Sequence, residues 1–157
     1  MGFADRDAQA GGAAASLADK ENPDTMPATQ PFVVHETDCE LERWGDSADS
    51  QLSWRTLISA DRSPTDSLTL GVAEIQPDDA RTLRLHRHEQ AEVYYILSGE
   101  GIVTIDGIEH RVRAGSAVFV PGNALHGSLN TGSEPLRILY VFPAASFDQV
   151  HYDFSAT

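Results

Sequence analysis

Cysteine is almost absent. Cys39 is the only one in the 157 residues, so no disulfide can form within the chain, and a reducing cytoplasm is the expected setting. Basic residues are scarce too: Lys plus Arg number 11 against 24 for Asp plus Glu, a formal charge of −13. A surface of that sign repels phosphate backbones and anionic lipid, which removes nucleic acid and membranes from the expected partners. No apolar run approaches the roughly 20 residues of a membrane span. The opening Met1-Gly2-Phe3-Ala4-Asp5-Arg6 lacks the basic and apolar regions of a secretory leader. Gly2 invites a myristoylation reading, but Arg6 stands where Ser or Thr is required. A soluble, non-exported chain is expected.

The length fits one domain with a core that needs no staples. Residues 1–30 are rich in Ala, Gly, Asp and Gln, interrupted by Pro23 and Pro27, with too few large apolar groups to offset the entropy of ordering. They read as a flexible N-terminal arm, with the folded domain at 31–157. The alanines between Ala8 and Lys20 favour a short helix that Gly11 and Gly12 oppose. Phe32-Val33-Val34 is a candidate edge strand, and Glu36 to Gly45 a candidate turn of helix.

From Leu52 the pattern is all-β. Short runs punctuated by turn residues predict strands at Leu52–Ser59, Ser67–Gln76, Thr82–His88, Glu92–Leu97, Gly101–Ile105, Ile108–Arg113, Ala117–Val120, Gly127–Asn130 and Leu136–Phe142. Asp106-Gly107 between two β-branched runs is a strong hairpin signal. No helix of useful length breaks the series, so a closed or sandwiched antiparallel barrel follows.

The chemistry concentrates at His86, His88 and Glu92. These metal-ligand types stand at even spacing, which a strand puts on one face. Another histidine, His126, arrives on a later glycine-bounded strand. Such a set has few purely structural uses and suits a divalent transition metal ion: Fe(II), Mn(II), Ni(II), Zn(II) or Cu(II).

These residues fall into two motifs that resemble those of the cupins, small jelly-roll barrels. The first, His-x-His, three or four residues, Glu, six residues, Gly, is met by His86, His88, Glu92 and Gly99; Ala80 replaces the glycine that opens it. The second, Gly, five residues, Pro-x-Gly, two residues, His, three residues, Asn, is met by Gly115, Pro121, His126 and Asn130. Asn123 stands where its glycine belongs, a departure in a turn that asparagine tolerates because it accepts positive φ. The resemblance covers roughly Leu52 to Phe142, with a motif core at 71–142. It implies a jelly-roll barrel in which His86, His88, Glu92 and His126 bind metal, and a homodimer.

Tyr94 lies two residues beyond Glu92, so strand parity turns it inward while Val93 and Tyr95 turn out. It reads equally as core packing or as a general base, since a cation nearby lowers a phenol pKa from about 10. Arg84 shares the parity of His86 and His88 and suits either an anion clamp or a salt bridge at the barrel mouth. Trp54, Tyr140, Phe119 and Phe142 read as core aromatics. Any that line the mouth, Trp54 and Tyr140 foremost, would hold a cationic group by cation–π attraction worth about 0.5–2 kcal/mol.

Within the cupins, two histidines, Glu, Tyr two residues on and a distant His also look like the small lyases that cleave dimethylsulfoniopropionate to acrylate and dimethyl sulfide. The resemblance thus implies a metal-dependent lyase. A metal-dependent dioxygenase and a noncatalytic small-molecule or sugar-binding cupin are the alternatives.

Overall fold

The structure, a computed structural model, describes residues 29–43, 52–77 and 85–154. Of the arm expected at 1–30, residues 1–28, with the possible helix within them, lie outside the described residues. Among the described residues nine strands follow in chain order: β1 (Glu42–Arg43), β2 (Leu52–Ile58), β3 (Thr69–Ile75), β4 (Glu92–Ser98), β5 (Glu100–Ile105), β6 (Ile108–Arg113), β7 (Ala117–Val120), β8 (His126–Asn130) and β9 (Leu136–Phe142). They form two antiparallel sheets, one in the order β1-β2-β3-β9-β4-β7 and one in the order β6-β5-β8. This is the jelly-roll architecture expected, and no α-helix interrupts it among the described residues. No helix there is long and apolar enough to cross a membrane.

Local chemistry explains the register. Asp106 and Gly107 adopt φ of 48° and 81°, the paired positive values that a tight hairpin between β5 and β6 requires, and the ladder runs unbroken from Ile105↔Ile108 to Glu100↔Arg113. Asn123 has φ of 64°, the conformation for which asparagine substitutes for glycine. Asn130, the last residue of the second motif, is a staple. Its Nδ2 donates to the carbonyls of Ile75 and Glu134, and its Oδ1 accepts from the Gly132 N–H.

Period-2 burial then builds the core. In β9, Leu136, Ile138, Tyr140 and Phe142 are buried while the residues between them are half-buried. They meet Ile96, Val103 and Val120 between the sheets. Fully burying a side chain of this size contributes about 1.5–3 kcal/mol. Tyr140 lies across Gly71 in the neighbouring strand β3, where a Cβ would strike its hydroxyl and come within 2.6 Å of the Arg55 carbonyl oxygen.

Some expectations change. The strand expected at Thr82–His88 is not a ladder where it is described. His86 bridges to His126 and Arg87 to Asp153, so successive residues pair with different segments and neither pairing propagates. Phe32-Val33-Val34 is exposed chain without strand pairing, Val33 fully so. The chain is held nearby instead, by Gln30 N–H on the Pro64 carbonyl and by a Glu36–Arg137 ion pair. Where residues 36–45 are described, at 36–43, their helical structure is a single 3-10 turn, Glu36–Asp38, whose Thr37 N–H donates to His35 Nδ1. Phe119, expected in the core, is 64% exposed, because it pairs with outward-facing Val93.

Candidate metal centre

Four polar side chains converge inside the barrel. His86 and His126, forty residues apart, are brought face to face by a backbone bridge in which each N–H donates to the other's carbonyl, at 2.9 and 2.8 Å. Their rings lie 4.3 Å apart, and that of His88 lies 4.8 Å from His126. The ligand atoms of all three histidines fall within 4.8 Å of one another. Glu92, at the start of β4, brings Oε2 to 3.2 Å from His88 Nε2 and 3.3 Å from His126 Nε2. All four residues are at most 4% exposed.

Hydrogen bonds on the far side of two rings decide what the near side can do. His88 Nδ1 is 2.8 Å from the Gln90 carbonyl, and His126 Nδ1 is 2.9 Å from that of Ala124. A carbonyl only accepts, so both Nδ1 atoms carry hydrogen, and Nε2 of each neutral ring presents a lone pair inward. Those lone pairs face the Glu92 carboxylate, which also only accepts. A cation among them turns this contact from repulsive to favourable. His126 Nε2, fully buried, makes no hydrogen bond of its own. Backbone carbonyls that fix the tautomer of an inward imidazole are the usual support of a metal ligand, and the donor set suits a metal ion. Burial opposes the charge on Glu92; a positive charge on the imidazole side, whether a proton on His126 or His88 or a bound cation, outweighs it and holds this carboxyl below its ordinary range.

Tyr94 is buried beside the cluster, paired with Tyr140 across β4 and β9, its ring 6.4 Å from that of His126. Burial first, and then the charge of Glu92, push its pKa well above the ordinary phenol value.

Comparison with known proteins accords with this geometry. A family model described as the cupin domain matches residues 71–142. Dimethylsulfoniopropionate lyase DddW of Ruegeria pomeroyi is 41% identical over 135 residues, 84% of this chain and 87% of that protein. The chain belongs to the cupin family. Solved relatives of this cupin include the polyketide cyclase RemF of Streptomyces resistomycificus, at 26% identity and a TM-score of 0.62 over 73% of this chain and 80% of that one. The oxalate decarboxylase of Lactobacillus farciminis gives 25% identity and a TM-score of 0.63, over 82% of this chain and 37% of that one.

The remaining candidates occupy different surroundings. Arg84 lies outside the described residues. Tyr140 is in the core of this cupin, 3.3 Å from Thr56 Oγ1 and packed on Phe142 and Phe147. Trp54 is half-buried, its ring 6.5 Å from that of Phe147. Two aromatics missed in the sequence do reach the cluster. Tyr152 stands 4.8 Å from the His86 ring and 5.5 Å from that of His88, and Phe154 stands 5.7 Å from His86. They lie beyond both motifs, and the signal available was their alternation in His151-Tyr152-Asp153-Phe154, the spacing of one strand face.

Proposed function

We propose that this cupin is a metal-dependent carbon–sulfur lyase that cleaves dimethylsulfoniopropionate to acrylate and dimethyl sulfide by base-assisted β-elimination. The observation that carries the reading is 41% identity to the Ruegeria lyase across most of both chains. The three-imidazole cluster with Glu92 supports it.

His86, His88, Glu92 and His126 are the proposed ligands of one divalent transition metal ion, which when bound supplies a Lewis acid that draws charge from the substrate carboxylate and acidifies the adjacent C–H. Tyr94 is the proposed base. Burial and the Glu92 charge favour the proton on its oxygen. Coordination of Glu92 would neutralise its charge and, with the positive charge of the ion nearby, would lower the Tyr94 pKa toward the phenolate form, its proton passing to solvent before substrate seals the site. Phenolate at Tyr94 takes the α-proton, the C–H pair becomes the new carbon–carbon double bond, and the β-carbon to sulfur bond breaks with its pair leaving on neutral dimethyl sulfide. The proton ends on Tyr94. Arg84 is the proposed clamp on the substrate carboxylate. Exclusion of water from the cluster strengthens each electrostatic contact.

A cytoplasmic homodimer is the proposed working form. The lone Cys39 supports the compartment. The outward apolar row of Val93, Tyr95, Leu97 and Phe119 supports the pairing.

Headspace gas chromatography of metal-loaded protein mixed with dimethylsulfoniopropionate, in air and without oxygen, tests the reaction. Equal release of dimethyl sulfide in both is the expected result. Release in air alone would make this an oxygenase, and none in either would withdraw the lyase in favour of a binding role or another substrate.

A further inference from the structure

The imidazoles and Glu92 are so fully buried that any ligand reaching them must pass something that moves. Most of the surrounding wall is fixed. β4 is laddered on both sides, to β9 and to β7, and β8 is laddered to β5 from His126 to Asn130. The segment Val150–Phe154 is different. It leaves the 3-10 turn Phe147–Gln149 and lays two aromatic rings on the cluster, Tyr152 against His86 and His88, Phe154 against His86. The two rings stack on each other, 16° from parallel at 6.1 Å. Its backbone meets the barrel at an isolated bridge, where Arg87 N–H donates to the Asp153 carbonyl at 3.0 Å and Asp153 N–H donates to that of Arg87 at 2.9 Å. Just upstream, Gln90 Nε2 donates to the Gln149 carbonyl, and Val150 is anchored in the core.

We propose that Val150–Phe154 is a strap that gates the imidazole cluster, with the Arg87–Asp153 bridge as its latch. Closed, it seals the cluster under Tyr152 and Phe154. Released, it swings from Val150 and uncovers His86 for a small ligand. An isolated bridge opens at lower cost than a strand within a ladder, and segments of this kind supply the local openings through which buried sites exchange with solvent. The gate depends on the cluster being a binding site and not on which reaction it serves.

Native-state hydrogen exchange on chelator-stripped protein reads the latch. The amides of Arg87 and Asp153 should exchange together and faster than those of β4 and β8. Exchange of all four groups in one global step would overturn the proposal. A tether reads the gate itself. Residues that exchange both backbone bonds sit with Cα atoms about 5.5 Å apart, within disulfide reach, so Arg87→Cys with Asp153→Cys, in a Cys39→Ser background, can lock the strap. With Co(II) in the cluster, oxidation should slow removal of the ion by excess chelator roughly tenfold or more, as loss of a minor open state requires, and reduction should restore it. Equal rates in the oxidised and reduced forms would remove the strap from any gating role. Slowed exchange in a protein that releases no dimethyl sulfide would keep the gate and refute the reaction.

Discussion

Both faces of β4 carry large apolar side chains, yet its one carboxylate lies on the buried face. Inward, Glu92, Tyr94 and Ile96 are 4%, 5% and 0% exposed. Outward, Val93, Tyr95 and Leu97 are 39–45% exposed, and Phe119 on β7 extends the row. A sheet selected for stability alone would bury the apolar set and leave the carboxylate in water. Burying an ionised group is costly unless it is paired, and Glu92 faces His88 and His126 at 3.2 and 3.3 Å. The comparison teaches that one face is shaped by chemistry and the other by a surface, while the strand itself is held by β9 and β7 regardless. Substitutions on the two faces should therefore differ in kind as well as in size.

The largest effect is expected from Tyr94→Phe. Turnover should fall by about 100- to 10,000-fold, the worth of a placed base, with metal content per chain unchanged by elemental analysis. Retained activity would assign Tyr94 to packing. Gly71→Ala follows, felt in the fold. The new methyl meets the Tyr140 hydroxyl and the Arg55 backbone oxygen, and overpacking of this kind costs about 1–3 kcal/mol in denaturant unfolding. A melt unchanged from the parent would show that Tyr140 has room to move.

Tyr140→Phe is smaller. It removes the contact with Thr56 at 3.3 Å and should cost about 1 kcal/mol near neutral pH. It should also change the alkaline limb. Burial raises the Tyr140 pKa above its ordinary value of 10.0, so the folded chain keeps a proton that the unfolded chain loses. Stability from this group is fully present below pH about 10 and is lost as pH rises towards the folded pKa. Unfolding followed from pH 9 to 11 should fall less steeply in Tyr140→Phe; identical slopes would contradict the assignment. Leu97→Ser, on the outer face, is expected to be smallest, within about 0.5–1 kcal/mol in stability and without change in turnover per chain. Loss of activity there would mean that the outward row supports the site.

How much of this was legible in the sequence follows from what each signal reports. The hairpin at Asp106-Gly107 and the positive φ at Asn123 are local, and the residues that impose them are the residues that adopt them. The parity of Glu92, Val93, Tyr94 and Tyr95 is likewise a property of one strand. Spacing also nominated His126, but its meeting with His86 depends on a bridge between distant segments, which no local pattern encodes. The same limit hid the strap, because Asp153 pairs with Arg87 across the barrel. Phe119 was misplaced because aromatic character suggests burial, whereas its pairing with Val93 fixes its direction.

The central claim is that the inward face of β4, with the three histidines, is a metal centre that carries the reaction. Titrating Fe(II), Mn(II), Ni(II), Zn(II) and Cu(II) in turn into chelator-stripped protein, while following dimethyl sulfide release, tests it most directly. With at least one of these ions, activity should rise from background, saturate near one ion per chain, and stay at background throughout in His126→Ala. Stripped protein that turns over at the loaded rate, or a His126→Ala variant that saturates like the parent, would contradict the account.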